Sequence, residues 1–306
     1  MAKCFTKLCG LWNKNRGNTS IVILCTIIII ILLSAVITDI GYSAVMRYQL
    51  ANGARMTALK GAELLAVDKT KAEESIRAFA VSKVRDLNRL EIKVSGSGKE
   101  LTVSMGRSFD YIFLKHIGFK RKQICSRMTA KLSSISSYKG IRPFAVESRY
   151  LVMGKRCELT NKVENESKTI PFTAIKLGDD TYSTDIIYGY GKKVSIGDYY
   201  YTMEGDNDTE KESLLHTLES CTHKPGCTYL EYNKSCPRLM VVPVVQSRDE
   251  EIKRVCVIGF STFFMESMES SNDSLRIKGR FIRQIVDSDT SDDISDFGLM
   301  GIRLVD

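Results

Sequence analysis

Residues 19–38, "TSIVILCTIIIIILLSAVIT", contain no charged side chain and no proline. Catalytic parts are scarce in the rest of the chain. Three histidines serve 306 residues, and neither a glycine-rich phosphate loop nor an H-E-x-x-H pair occurs, which excludes the nucleotide-cradling and zinc-protease arrangements. "GFSTF" (259–263) lacks the second glycine of a nucleophile elbow, so Ser261 reads as a strand residue. "DSDTSDDISDFG" (287–298) opens with calcium-loop spacing at Asp287 and Asp289. It then carries Asp292 where the sharp turn needs glycine, and Gly298 where a glutamate should close the shell. That stretch reads as a solvated acidic loop. No catalytic residue, metal or cofactor is expected.

The charge-free run has the length of a membrane span. A bilayer core of roughly 30 Å takes about 20 apolar residues as helix. Thirteen of these residues are Ile, Leu or Val, and at about −0.3 to −0.6 kcal/mol each they favour insertion by roughly 4 to 8 kcal/mol. In lipid a single segment has to satisfy its own backbone, which only a helix does. Secretory signals have shorter apolar regions, about 7–15 residues, with a small-x-small exit; here the only exit is the weak "GYSA" at 41–44. A retained anchor is therefore expected, over a cleaved signal or a soluble core helix. Lys3, Lys7, Lys14 and Arg16 precede the span, against Arg47 and Arg55 just after it. This puts the N-terminus in the cytoplasm and the bulk of the chain outside a cell membrane, crossed once. Beyond the basic start, the net charge of +8 is spread out, so membrane lipid is an expected partner and nucleic acid is not.

Past the span a helix pattern continues. Ala54, Ala58, Ala62 and Ala66 recur every four residues, with Gly53 and Gly61 beside them, a small-residue row that lets another helix approach closely. The alternative is a good helix former repeated on a solvated stalk. "TKAE" (70–73) has the capping-box arrangement, and apolar residues at helical spacing extend a second helix to about Asn88. The period then switches to two. "LEIKVSGSGKELTVSM" (90–105) reads as a β-hairpin, "FDYIFLKHIGF" as a short helix or turn, and Ile124 to Leu132 as a third strand. The basic cluster "KHIGFKRK" (115–122) reads as a charged loop, with contact to anionic lipid or polymer as the rival reading. "SSISSYKGIRPF" (133–144) marks a boundary. Gly-punctuated strands follow, among them "TAIKLG", "DIIYGYG" and "RLMVVPVV", where Pro243 calls for an edge or a bulge. One helix is expected in this half, "EKESLLHTLESC" (210–221).

Six cysteines lie beyond the span: Cys125, Cys157, Cys221, Cys227, Cys236 and Cys256. In an oxidising space a disulfide is expected from the cluster Cys221, Cys227 and Cys236. With His216 and His223 this cluster could in principle supply four zinc ligands from its five residues, but the spacings match no standard zinc module, and an oxidising exterior favours S–S bonds over thiolates.

The stretch around the span resembles the membrane-anchored TadE/TadG-like proteins of the tight-adherence (Flp) pilus assembly system, as a Gram-positive-type member. In that family a glycine leads into one apolar span, which exits through Asp-x-Gly into an alanine-rich helix. Here Gly17 precedes the span, Asp39 and Gly41 match the exit, and "LANGARMTALKGA" (50–62) aligns without gaps through Leu50, Asn52, Ala54, Ala58, Leu59, Gly61 and Ala62. Arg55 and Lys60 depart from the pattern, and the glutamate of pseudopilin-like members is missing near Val22, so prepilin-type cleavage is not expected. The later "GIRPF", "CPRLMVVPVV" and "VIGFSTFFM" are similar to extracytoplasmic halves of that family.

The expectation is an α+β protein. A cytoplasmic segment (1–16) leads to a transmembrane helix (17–39) and a helical stalk (40–89), then a small α+β module with a β-hairpin (90–140) and a β-rich extracytoplasmic domain (141–306). The resemblance implies a non-enzymatic pilus-assembly scaffold or minor pilin-like protein. Its partners would be pilus-assembly or pilin-like membrane proteins, met through the N-terminal helix and its row Ala54, Ala58, Gly61, Ala62 and Ala66. The rival is a ligand-binding or sensor module on a passive tether. An envelope hydrolase is disfavoured by the missing motifs.

Overall fold

One helix, α1 (Thr19–Val67), runs from the apolar segment into the folded part without a break. The computed structural model describes residues 19–305 except 68, 120, 163–167, 180, 247–252 and 272–273. At 1.5 Å per residue α1 is about 70 Å long, and its two halves suit different solvents. Every apolar side chain from Ile21 to Leu33 is exposed, and the most apolar stretch buries nothing against the chain. From Asp39 onward one stripe is buried at helical spacing: Asp39, Ser43, Leu50, Ala54, Ala58, Ala62 and Leu65.

What covers that stripe is the chain itself. Helix α2 (Lys69–Lys83) turns back along α1 and buries Ala72, Ile76 and Ala80 against it. It opens one residue before the expected Thr70, whose side chain lies outside the described residues, and it stops at Lys83 rather than near Asn88. Strands β1 (Leu87–Val94) and β2 (Glu100–Phe109) form the expected antiparallel hairpin, and β3 (Lys122–Ile135) joins β2. Leu101, Val103 and Met105 alternate inward onto α1 and α2. The expected stalk over 40–89 is thus the packed spine of a helix-on-sheet layer, because its small residues let the sheet close down on it.

The second half winds through β4 (Ser137–Lys139), β5 (Phe144–Glu147), β6 (Arg156–Thr160), β7 (Thr169–Ala174), α3 (Tyr182–Tyr188), β8 (Lys193–Ser195), β9 (Tyr199–Tyr201) and α4 (Asn207–Glu219). It continues through β10 (Leu239–Val245), β11 (Arg254–Ser271), β12 (Ser274–Ile282), β13 (Gln284–Ile285), β14 (Thr290–Ser291) and β15 (Leu299–Val305). Six strands close in the order β10-β5-β7-β6-β12-β11, with β11 returning to β10 and β9 added outside β11. A closed ring leaves no bare edge, and Phe144, Phe172, Phe263 and Phe281 fill part of its core. Pro243 is unpaired on its β5 side and stands next to a register shift between Val244 and Val245, as a proline in a strand requires.

Two expectations change. "DIIYGYG" is not a strand. Its first half is α3, which follows Thr181, whose hydroxyl donates to Asp185 Oδ2 at 2.8 Å, and which ends at Gly189 with φ +81. Nor does the chain divide at residue 140, since β15 returns to lie antiparallel beside β3 and β13 pairs with β15. The first sheet, β1-β2-β3-β15-β13 with β14 also on β3, is completed by the C-terminal segment.

Candidate functional site

The small-residue row is occupied. Ala54, Ala58 and Ala62 are fully buried between α2 and the first sheet. A Cβ at Gly53 would lie 2.1 Å from Val84 Cγ2, and one at Gly61 would lie 2.3 Å from Leu101 Cδ2. Close approach is what the row provides, as its composition implies, but the element that approaches is the chain's own helix and sheet. Leu50 is buried with them, while Leu59 and Ala66 are half-buried and Asn52 is exposed. Gly41 has open space around it, and Gly17 lies outside the described residues. The face of α1 that remains free carries Ile40, Val45, Tyr48 and Met56.

Asp39 is the one fully buried acid on α1, and its partners explain why it sits where the apolar run ends. Oδ1 accepts the backbone N–H of Ile112 at 2.7 Å; Oδ2 accepts those of Phe113 at 3.1 Å and Leu114 at 2.7 Å. These N–H groups open the short 3₁₀ turn Leu114–Ile117, which has no other cap, so a carboxylate supplies what a helix start lacks. The segment between β2 and β3 is thereby fixed at the level where α1 leaves its uncovered apolar stretch. There it exposes Ile112, Phe113, Ile117 and Phe119, beside the basic Lys115, Arg121 and Lys122. Tyr42, Phe109, Tyr111 and Phe119 follow one another edge-to-face, with centroids 5.5, 5.9 and 6.4 Å apart. An apolar tip with aromatic rings and a basic flank is the composition of a bilayer interface. The sequence reading singled out the basic run 115–122, as a charged loop first, and missed the aromatic contacts and Asp39's part, because 73 residues separate the acid from Ile112.

The cysteine cluster is the other assembled site. Residues 220–238 contain no helix or strand, yet they bring Cys221, His223, Cys227 and Cys236 together with one donor atom of each within 4.8 Å of all the others. Cys221 Sγ lies 3.4 Å from Cys236 Sγ and 3.7 Å from His223 Nδ1. The three cysteines expected to cross-link do converge, but as free thiols with an imidazole among them. Burial works against a Cys221 thiolate; hydrogen bonds with His223 and Cys236 and from backbone N–H groups outweigh it, bringing that thiol down to about 6. His216 is not in the group. Cys157 lies in the barrel core, where burial pushes its thiol up to about 12, and Cys125 and Cys256 sit on β3 and β11.

Between this loop and α1 runs a groove of about 690 Å³, lined among others by Lys60, Glu63, Tyr229, Tyr232 and Arg283. Lys234 crosses it to pair with Glu63. The acidic stretch 287–298 serves the fold: Asp289 binds Lys193 and Ser137, and Asp292 binds Lys131, Ser133 and Arg303. No protein-family model, curated protein or solved structure matches the chain.

Proposed function

We propose that this chain is a membrane-anchored, non-enzymatic component of a tight-adherence (Flp-type) pilus assembly system, acting as a scaffold or minor pilin-like subunit. The observation that carries the reading is the division of α1, an uncovered apolar stretch continuous with the spine of a folded module. A passive tether needs no such continuity; a scaffold that transmits position from bilayer to ectodomain does. The resemblance of residues 17–66 to the TadE/TadG-like pattern supplies the process. The span would stay in the cell membrane with the N-terminus cytoplasmic and the sheets outside, and the loop 110–122 would rest on the outer surface. Because the alanine row is filled, partner helices would meet the span and the free stripe Val45, Tyr48 and Met56.

The test is crosslinking in cells that make the pilus. A photoreactive residue at Tyr48 should capture another pilus-assembly membrane protein, while one at the buried Ala58 should not. Absence of any such adduct from Tyr48 and from the span, with the chain present in the membrane fraction, sinks the proposal. The groove between α1 and residues 229–234 favours a second reading, a tethered ligand-binding module. Saturable binding of a cell-wall fragment by the intact chain, lost on Tyr232→Ala, would support it.

A further inference from the structure

We infer that Cys221, His223, Cys227 and Cys236 form a structural zinc site. Three thiolates and one imidazole are a standard tetrahedral donor set for Zn²⁺. With Zn–S near 2.3 Å and Zn–N near 2.0 Å, a tetrahedron has edges of about 3.8 Å between sulfurs and about 3.6 Å from sulfur to nitrogen. The 3.4 Å and 3.7 Å separations at Cys221 approach those edges before any ion draws the donors in. Two grounds argued against zinc in the sequence: an oxidising space that favours S–S bonds over thiolates, and ligand spacing that matches no standard module. The redox state of the isolated protein tests the first. The fold overrides the second, because an irregular loop can bring together ligands that no standard module would.

Three further observations agree. The cluster has an odd number of thiols, so a disulfide between any two leaves a third beside an imidazole, whereas one metal ion uses all four donors. Arg238 donates to the carbonyls of Cys227, Met265 and Glu266, fastening the loop to β11 and setting a cation beside a site that three thiolates and Zn²⁺ leave with one negative charge. Finally, a long segment without helix or strand needs something to hold it. Its own apolar contacts amount to Leu239, Phe264, Ile282, Tyr229 and Tyr232 around the thiols.

The site is closed. Four protein donors fill the tetrahedron and leave no position for water or substrate, which is the structural class of zinc centre. Binding replaces the remaining thiol protons with the metal and releases them to solvent. Its effect is to set residues 229–234 against α1, where Lys234 meets Glu63.

The experiment uses the full chain, extracted in detergent and purified without chelator. About one zinc per chain is expected by elemental analysis. Cobalt added to metal-stripped, reduced chain should give the visible bands of tetrahedral thiolate coordination. His223→Cys should keep the metal and shift those bands; Cys227→Ser should lose at least tenfold in zinc affinity in a dye competition. Because Cys227→Ser could act by unfolding the loop, the retained but shifted spectrum of His223→Cys is the deciding arm. The inference fails if the reduced wild-type chain takes up neither zinc nor cobalt. It fails equally if the protein isolated from cells carries a disulfide within the cluster and no metal.

Discussion

Asp39 Oδ2 accepts the N–H of Leu114 at 2.7 Å, so the last buried acid before the uncovered stretch of α1 and the first residue of a distant turn form one unit. Replacing Asp39 with Ala leaves three N–H groups without their acceptor. At roughly 1.5–3 kcal/mol for charge-assisted bonds, the loss should appear as faster amide exchange at residues 112–114 and a lower melting temperature. Exchange in the barrel should stay unchanged.

The level of that turn has a direct optical test. Phe119→Trp, in a Trp12→Phe background so that one indole remains, should be quenched by brominated lipid in vesicles. An indole at Tyr188, exposed but on α3 of the other half, should not. Equal quenching at both positions, or at neither, would remove the loop from the bilayer surface.

Packing on α1 predicts opposite outcomes at neighbouring residues. Gly61→Val puts atoms where Leu101 and Ile76 already lie. It should cost about 1–3 kcal/mol or prevent folding, read as protease sensitivity of the ectodomain. Thr57→Val should do the reverse, since the Thr57 hydroxyl is buried without a partner. Removing an unsatisfied hydroxyl at constant shape should raise stability by about 1 kcal/mol, measured by urea unfolding.

Glu210 predicts a pH dependence. It is buried, and burial raises its carboxyl above the ordinary glutamate value even though Tyr182 donates to it. A raised folded pKa means that the native state holds the proton more tightly than the unfolded chain does. Its contribution is complete below the unfolded value near 4.5 and is lost as pH rises through the folded one. The stability of the wild type relative to Glu210→Gln should therefore grow as pH falls from neutrality toward that value. A difference independent of pH contradicts the assignment.

Much of this fold was legible because its signals are local. The long apolar helix, the hairpin with its "SGSGK" turn, the third strand and α4 rest on period and punctuation within a dozen or so residues. The small-residue row could be read as a surface for close approach or as a solvated stalk, and nothing in 54–66 says whether a neighbour is another protein or residues 72–105. The same limit hid the return of β15 to β3 and the meeting of Asp39 with Leu114. The cysteines show it most plainly. Ligand spacing is a property of familiar modules, whereas convergence is a property of a particular loop, and only coordinates report the second. "DIIYGYG" misled for a different reason: Ile and Tyr favour strands, but here the first half lies in a seven-residue helix that buries Ile186.

The strand order also bears on the timing of synthesis. The first sheet packs on a helix made early in the chain, yet β3 gains its neighbours on the second side only from the late segments Thr290–Ser291 and Leu299–Val305. During synthesis α1 would thus emerge long before the layer around it could be finished. Truncation anywhere in the barrel would leave β3 with an unpaired edge. A protease that recognises bare strand edges would then distinguish full-length copies from incomplete ones by whether that edge is covered.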